Sequence, residues 1–274
     1  MSKRYYNDLN EQSIQFNKWA QRGLNYSHLR YLARIFTNRV LDLNSEAPNN
    51  NLIFYGSFYE GQGTTLHDLS SNKHNGTIYG SIWTDKGKIG NGGTFTFETI
   101  NCVEIPHHTD FHLNIPNWSF CAWIYFRWPV PSWPNVGILY AKGRRDAYLY
   151  EGEYGIFVED GTGLGLVYPG SDRWLYVLFI PVIELEQYAN KWIFLTITKE
   201  NNKYKLYINA EKKAQATEDI TFPETNHPVY IGGTTAETSY YGGLLRWDGY
   251  IDELRVYNKT LTEEEIKVIY KGEV

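Results

Sequence analysis

Residues 191–217 read KWIFLTITKENNKYKLYINAEKKAQAT, and this stretch decides which fold class fits the chain. Apolar and polar residues alternate on both sides of Asn201 and Asn202, with the period of two that belongs to half-buried β-strands. An Asn-Asn pair between two such runs is typical of a tight hairpin turn. The stretch therefore predicts two antiparallel strands that are joined at Asn201 and Asn202.

Strand-like segments also lie on both sides of this hairpin, separated by glycine-rich turns and without intervening helices. They are NLIFYGSFY (51–59), TFTFETINCVEIP (94–106), NWSFCAWIYFRW (117–128), HPVYIGGTT (227–235) and GYIDELRVY (249–257). Many short strands without strand–helix alternation favour a β-sandwich. Within this part of the chain, only TEEEIKVIYKG (262–272) has a helical pattern, with Thr262 as N-cap and three glutamates in the first turn.

Residues 1–47 have a different pattern, because apolar side chains recur at helical spacing from Leu29 to Val40. We predict a helical N-terminal extension over residues 1–47 that serves as an anchor or for oligomerisation. The polar stretch NSEAPNNN (44–51) then leads into one β-domain over residues 48–274.

Charge is distributed unevenly along the chain, whose net charge is −5. The first 50 residues carry seven basic and four acidic side chains, whereas the remainder carries 19 and 27. An acidic body argues against nucleic acid as a ligand of the main domain. The start of the chain has no apolar run typical of a secretion signal, and no run of 18 apolar residues predicts a membrane span. The cysteines, Cys102 and Cys121, are expected to be buried thiols, although one bridge between them stays open.

Several segments, in their order, resemble the concanavalin A-like lectin/glucanase superfamily, and specifically its laminin-G-like jelly-roll modules. They are DLSSNKHNGTIYG (68–80), FTFETINCVEIPHHTDFHL (95–113), WSFCAWIYF (118–126), the hairpin (191–214), YIGG (230–233) and GYIDELRVYNKTLTEEEIKVIY (249–270). The resemblance covers residues 52–270. It implies an all-β, two-sheet antiparallel jelly-roll sandwich that ends in a short helix. Ala210 departs from the family's glycine, and residues 173–188 form a longer, more apolar segment.

Carboxylates at alternate strand positions are how glucanases of this superfamily place a catalytic pair. The candidates here are Glu184 with Glu186 and Glu151 with Glu153. Neither pair lies in the Glu-x-Asp-x-x-Glu pattern of those enzymes, so we expect solvent-facing carboxylates and no enzyme. A glycoside hydrolase or polysaccharide lyase with a non-standard site is the alternative.

The resemblance also implies a structural calcium ion where the first loop meets the closing strand. Asp68 and Asp252 are the predicted ligands, with Glu60 and Asn75 as neighbours. The alternative is that Asp68 caps an Asx-turn and Asp252 accepts backbone hydrogen bonds. Glu253 follows Asp252 directly, so the two side chains point to opposite faces of a strand, and Glu253 is expected in a salt bridge or at the surface.

The histidine-rich stretch PHHTDFH (106–112) offers imidazoles that could bind a transition metal. It follows a predicted strand as a loop, so the spacing of its histidines does not define a shared face. We expect a solvated polar loop here.

Aromatic residues in predicted loops are the candidates for ligand binding, because sugars stack on exposed rings. The predicted ligand-binding residues are Trp128, Trp133, Tyr168, Arg173, Trp174, Tyr240 and Tyr241. The same rings could instead contact another protein chain. Trp118, Trp123 and Trp192 belong to strand patterns and are predicted to be core.

The sequence thus predicts a non-catalytic recognition module that binds glycans or attaches to a surface. We expect it to be carried in a larger assembly, such as a virus or phage particle, through residues 1–47. A purely structural capsid or fibre subunit that makes protein–protein contacts is the alternative.

Overall fold

The structure is a computed structural model, and it describes residues 51–80, 82–95, 101–127, 136–143, 152–159, 162–170, 174–235 and 247–272. The helical extension predicted over residues 1–47 lies outside these ranges. No helix in the described ranges is long and apolar enough to cross a membrane.

Sixteen strands make up most of the described chain. In order they are β1 Leu52–Gly56, β2 Thr65–Leu66, β3 Gly76–Tyr79, β4 Trp83–Thr84, β5 Gly92–Phe95, β6 Cys102–Ile105, β7 Asn117–Phe126, β8 Val136–Gly143, β9 Gly152–Glu159, β10 Gly163–Pro169, β11 Trp174–Pro181, β12 Ile193–Glu200, β13 Lys203–Ile208, β14 Glu211–Thr217, β15 Val229–Ile231 and β16 Gly249–Tyr257. The helices are α1 Val182–Leu185 and α2 Glu263–Gly272, with 3-10 turns at Thr109–Phe111 and Glu186–Tyr188.

The strands form two antiparallel sheets of eight strands each. The first has the order β14-β13-β12-β7-β16-β5-β4, with β1 also paired to β16, and the second has the order β11-β10-β9-β8-β15-β6-β3-β2. Strands distant in sequence are neighbours in both sheets, as in a jelly roll. The predicted two-sheet antiparallel jelly-roll sandwich is confirmed.

Aromatic rings from both sheets meet in the core between them. Phe120 of β7 packs against Tyr140 of β8 with ring centroids 5.2 Å apart, and Trp118 of β7 meets Tyr154 of β9 edge-on at 5.9 Å. All four side chains are fully buried. Such edge and tilted contacts add to the hydrophobic gain from burial. Trp123 is also buried, whereas Trp192 is half-buried and precedes β12.

The predicted hairpin is confirmed with its turn at Asn201 and Asn202. β12 and β13 pair from Leu195 opposite Ile208 to Glu200 opposite Lys203. Asn201 adopts a φ of 55°, a left-handed conformation that asparagine tolerates better than most residues.

The closing strand β16 departs from regular pairing at Glu253. Its register with β7 shifts between Asp252 and Arg255, and Glu253 has a φ of 54°. A β-bulge therefore lies at Glu253, as the break in strict alternation among Ile251, Leu254 and Val256 predicts. Gly249 begins the strand with a φ of 156°, and a Cβ there would lie 1.8 Å from the carbonyl oxygen of Tyr125. Only glycine fits this position.

Helix α2 closes one face of the first sheet. The backbone N–H of Glu265 donates to Thr262 Oγ1 at 3.2 Å, while Glu265 Oε2 accepts from the N–H of Thr262 at 2.9 Å. This is the capping box that the sequence pattern indicated. Leu261 and Ile266 are buried against Trp123 and its neighbours, and Ile269 is partly buried there.

The segment after Pro181 is helical. The catalytic alternative required a strand here, with Glu184 and Glu186 on one face. Pro181 ends β11, and α1 and the 3-10 turn follow directly. Two residues of helix rotate side chains about 200° apart, so Glu184 and Glu186 point in nearly opposite directions. Both are exposed. The strand interpretation was wrong because proline favours the start of a helix as well as the end of a strand.

The two cysteine side chains are buried as thiols on different sheets. Cys102 lies on β6 of the second sheet and Cys121 on β7 of the first. This agrees with the expected pair of buried thiols.

Candidate functional site

An open cleft lies where the β12–β13 turn meets the segments before β7 and after β14. Its volume is about 610 Å³, which is within the range of small-molecule sites. The residues that line it are Asn114, Ile115, Pro116, Lys199, Asn201, Asn202, Tyr204, Glu218, Asp219, Ile220 and Thr221.

Backbone hydrogen bonds hold the three segments of the cleft together. The N–H of Asn201 donates to the carbonyl of Pro116 at 2.6 Å, and the N–H of Glu218 donates to the carbonyl of Asn202 at 2.9 Å. The turn is thus fixed from both sides, while the side chains of Asn201 and Asn202 remain exposed. A binding surface with fixed backbone loses little conformational entropy when a ligand binds.

Lys199 lines the cleft from a buried position on β12. Its Nζ donates to the carbonyl oxygens of Leu113 at 2.8 Å and Ile115 at 2.6 Å, and it lies 5.7 Å from the centre of the Phe222 ring. Burial lowers the pKa of this ammonium group. Its hydrogen-bonding capacity is largely used inside the protein, so it offers little charge to a ligand.

Two adjacent carboxylates, Glu218 and Asp219, form the exposed polar wall of the cleft. Burial, and then the negative charges of Asp219 and Glu218, raise the pKa of the neighbouring Tyr204 to about 12. The tyrosine therefore stays neutral at physiological pH. The accessible charge of the cleft is negative, and its hydrogen-bonding groups are mainly acceptors and amides.

Tyr168 is the one predicted ligand-binding residue whose side chain is described, and it stands beside this cleft. Its ring lies 6.1 Å from that of Phe222 and is half-buried. Phe222 is tied to the cleft residue Asn114, which accepts its N–H at 2.9 Å and donates to its carbonyl at 2.6 Å. Tyr168 thus supports the cleft wall by packing.

Trp174 begins β11 opposite Pro169. Trp128, Trp133, Arg173, Tyr240 and Tyr241 lie outside the described residues. Their role in ligand binding stays a prediction.

The carboxylate of Asp68 is buried and accepts four hydrogen bonds, one from β1 and three from the first loop. Oδ1 accepts from the N–H groups of Tyr55 at 2.9 Å and Ser70 at 2.8 Å. Oδ2 accepts from Ser70 Oγ at 2.7 Å and from the N–H of His74 at 2.8 Å. These donors occupy the four acceptor positions of a carboxylate, so Asp68 does not fit a calcium site in this arrangement.

The other predicted calcium ligands also accept backbone hydrogen bonds. Asn75 Oδ1 accepts from the N–H of Asp68 at 2.9 Å, and Glu60 Oε1 from that of His67 at 2.8 Å. The buried Asp252 accepts from the N–H of Ile89 at 2.9 Å. The loop thus brings Asp68 and Asn75 together, whereas Asp252 anchors a different segment. Calcium stays a prediction from the resemblance.

Glu153 is not solvent-facing, as the sequence had suggested, but fully buried. Its Oε1 lies 3.3 Å from Lys142 Nζ and accepts from the N–H of Thr225 at 2.7 Å, while its Oε2 lies 2.8 Å from His112 Nδ1. Lys142 is also fully buried. This carboxylate is committed to an internal ion pair, and its candidate partner Glu151 lies outside the described residues.

Glu253 is buried in a salt bridge with Arg255. The expected salt bridge is confirmed and the surface position is wrong. The Oε2 of Glu253 lies 2.9 Å from Arg255 Nη2 and accepts from the Tyr55 hydroxyl at 2.6 Å. Glu253 lies at the bulge of β16, where strict alternation of faces along a strand does not apply.

These features define the class of protein as a two-sheet jelly-roll module with a polar surface cleft. The profile described as the Concanavalin A-like lectin/glucanases superfamily matches residues 98–267, more than half of the chain. The chain belongs to this superfamily.

Similarity to individual proteins is more limited. Botulinum neurotoxin type D from Clostridium botulinum D phage is 32% identical over 89 residues, which are 32% of this chain and 6% of the toxin. The botulinum neurotoxin serotype D ligand-binding domain, solved in complex with N-acetylneuraminic acid, is 18% identical with a TM-score of 0.59. The binding domain of botulinum neurotoxin DC, solved in complex with rat synaptotagmin II, is 14% identical with a TM-score of 0.58.

The superposition with each of these two solved structures covers 82% of this chain. It covers 51% of the serotype D chain and 52% of the DC chain, so this chain spans about half of their length. At these identities the likeness shows the fold alone.

Proposed function

We propose that this chain is a non-catalytic recognition module that binds a glycan in the cleft at the β12–β13 turn. The cleft combines the apolar surfaces of Ile115, Pro116 and Ile220 with exposed amides and carboxylates. Sugars present both an apolar face and hydroxyl edges, and such a mixed surface can bind both. This composition of the cleft is the observation that carries the proposal.

The charge of the cleft favours a neutral sugar over an acidic one. Glu218 and Asp219 are exposed, whereas the ammonium of Lys199 is held by two carbonyl oxygens. A sugar carboxylate would meet like charge here, while sugar hydroxyls can donate to the two side-chain carboxylates. The serotype D domain was solved with an acidic sugar, so we expect the ligand preference of this chain to differ from it.

The positions of the carboxylates that the sequence suggested as catalytic candidates support a binding role. Glu184 and Glu186 point apart on a helical segment, and Glu153 is held in a buried ion pair. Retaining hydrolysis needs two carboxyl groups about 5 Å apart across a bound sugar. None of these three described carboxylates has a suitable partner among the others.

Replacing Asp219 by asparagine is expected to weaken glycan binding about fivefold to tenfold, because a hydrogen bond to a charged acceptor contributes about 1 kcal/mol or more. The measurement is isothermal titration calorimetry with a neutral oligosaccharide selected on a glycan array. Glu264→Gln, an equally exposed carboxylate on α2, is the matched control and should leave the affinity unchanged. Equal affinity of Asp219→Asn and the parent chain would contradict the proposed cleft.

We also infer that the module is carried in a larger assembly through residues 1–47, such as a virus or phage particle. Support comes from the amphipathic pattern and basic charge of this segment. A structural subunit with no glycan ligand is the competing interpretation, and the glycan titration separates the two.

Deleting residues 1–47 is expected to convert an oligomer into a soluble monomer, because the segment supplies the assembly contacts. Light scattering coupled to size-exclusion chromatography measures the mass of both chains at equal concentration. An unchanged oligomeric state after the deletion would contradict the anchor.

A further inference from the structure

Two imidazoles and one carboxylate converge outside the cleft, between the loop after β2 and the loop after β6. His74 Nε2 lies 2.9 Å from Asp110 Oδ2, and His108 Nδ1 lies 3.1 Å from the same oxygen. The donor atoms of all three side chains lie within 4.8 Å of one another. This is the one group of three or more His, Cys, Asp and Glu side chains in the described ranges that meets this distance.

We propose that His74, His108 and Asp110 form a binding site for a zinc ion. Two imidazole nitrogens and a carboxylate oxygen are ligands that Zn²⁺ accepts, whereas calcium prefers oxygen alone. Tetrahedral zinc with bonds of about 2.0 Å holds neighbouring ligand atoms about 3.3 Å apart. The separations of 2.9 and 3.1 Å lie within about 0.4 Å of that spacing, and the two imidazole nitrogens lie at most 4.8 Å apart.

The fold holds His74 in position before any ion binds. Its backbone N–H donates to Asp68 Oδ2 at 2.8 Å, and its ring packs 5.0 Å from the buried ring of Phe111. Only 12% of its side chain is exposed. The Asp68 carboxylate therefore orients a ligand of the zinc site through the loop backbone.

The other two ligands lie at the surface, which gives the ion a path in. The His108 side chain is 50% exposed and that of Asp110 is 39% exposed. His108 Nδ1 accepts a hydrogen bond from the N–H of Asp110 at 3.2 Å, which is the long end of the range for such bonds. The free-energy cost of replacing this hydrogen bond with a bond to zinc is therefore small. Three protein ligands would leave a fourth position of tetrahedral zinc for a water molecule or a group of a ligand.

Zinc bound here would join the 67–75 loop to the 106–112 loop and so stabilise the folded chain. Any ion that binds the folded state alone raises the midpoint of thermal unfolding by mass action. With zinc at a hundredfold excess over its Kd, we expect a rise of about 5 °C or more.

The test uses the full chain and zinc chloride alone, with calorimetry for affinity and thermal unfolding for stability. His74→Ala and Asp110→Asn should each weaken zinc binding by more than about tenfold. Asp110→Asn keeps the shape of the side chain, so it separates loss of a ligand from loss of folding. His67→Ala removes a more exposed histidine of the same loop and should bind zinc like the parent chain.

Cobalt provides a second readout that a purely structural effect of the substitutions would not produce. Tetrahedral Co²⁺ bound by the parent chain should give visible absorption bands, which the Asp110→Asn chain should lose. Absence of zinc-dependent stabilisation in the parent chain would overturn the site. Equal zinc affinity in the parent, His74→Ala and Asp110→Asn chains would overturn it as well, because the ion would then be bound elsewhere.

Discussion

Replacing Glu153 by glutamine is expected to lower the free energy of unfolding by about 3 to 5 kcal/mol, the largest effect that we predict for a single polar side chain here. Glu153 and Lys142 are both fully buried, 3.3 Å apart. Glutamine cannot balance the charge of the ammonium. The other groups around Lys142 Nζ are all uncharged acceptors: the carbonyl of His227 at 2.9 Å, that of Thr225 at 3.4 Å, and His107 Nδ1 at 3.1 Å.

The pKa of Lys142 explains why the charge of Glu153 is needed. Burial lowers this pKa, and the charge and hydrogen bond of Glu153 raise it again. In the Glu153→Gln chain, the Lys142 ammonium group loses the stabilising negative charge, while the free-energy cost of burying it remains. Glu153 also joins three segments distant in sequence, through His112 at 2.8 Å and the N–H of Thr225 at 2.7 Å. Glutamine offers one acceptor oxygen where the carboxylate offers two, so it cannot keep all of these contacts, which adds to the destabilisation.

Urea unfolding of the full chain measures this effect. Glu200→Gln is the matched control, since Glu200 ends β12 with an exposed side chain, and it should change stability by less than about 0.5 kcal/mol. The double change Glu153→Gln with Lys142→Met should recover part of the loss, because it leaves no unpaired buried cation. A loss below about 1 kcal/mol for Glu153→Gln would contradict the importance of the buried pair.

Replacing Asp68 by alanine is expected to lower the free energy of unfolding by about 3 kcal/mol. The buried carboxylate accepts from the N–H groups of Tyr55, Ser70 and His74, and alanine leaves these donors without it. Each buried donor that loses its acceptor costs about 1 to 3 kcal/mol, and water that enters the loop offsets part of the total.

Asp85→Ala provides the matched control for this second change, because Asp85 lies in an exposed turn. Urea unfolding should show little change for Asp85→Ala and a large one for Asp68→Ala. Near-equal stability of both variants would mean that Asp68 is not an anchor of the first loop. If calcium restored the stability of the Asp68→Ala chain, the ion would have to bind without the Asp68 carboxylate as a ligand.

Elements that local chemistry specifies were predicted correctly from the sequence. The hairpin turn at Asn201 and Asn202 depends on residues that tolerate a left-handed backbone, and the capping box depends on Thr262 and Glu265 three residues apart. The bulge near Glu253 was visible as a break in alternation. All three signals lie within a few residues of the feature they specify.

Contacts between distant segments were not predictable in this way. Glu153 looked like a solvent-facing strand residue because its partners, Lys142, His112 and Thr225, come from three other parts of the chain. The cleft also depends on contacts between distant segments, because Lys199 donates hydrogen bonds to the carbonyls of Leu113 and Ile115. Periodicity shows which residues face inward, but not which residues from other segments they meet.

The contacts of the histidines in PHHTDFH could not be predicted from the sequence either. PHHTDFH was expected to be a solvated loop, yet His112 bonds a buried carboxylate and His108 meets His74, which lies more than 30 residues earlier. Nothing in the sequence indicated that the loop holding His74 and the loop holding His108 and Asp110 meet, since a stretch of about 30 residues separates them. The structure shows that these loops touch, through the packing of Phe111 against His74 and the contact between His74 and Asp110.

Screening the full chain against a glycan array that holds matched neutral and sialylated oligosaccharides tests the central claim most directly. We predict binding to neutral glycans in preference to their sialylated counterparts, with the bound oligosaccharide recovered uncleaved. The negative wall of Glu218 and Asp219 is the physical reason for this preference. Binding only to acidic glycans, cleavage of the bound sugar, or no binding to any glycan would each contradict a neutral-glycan recognition module.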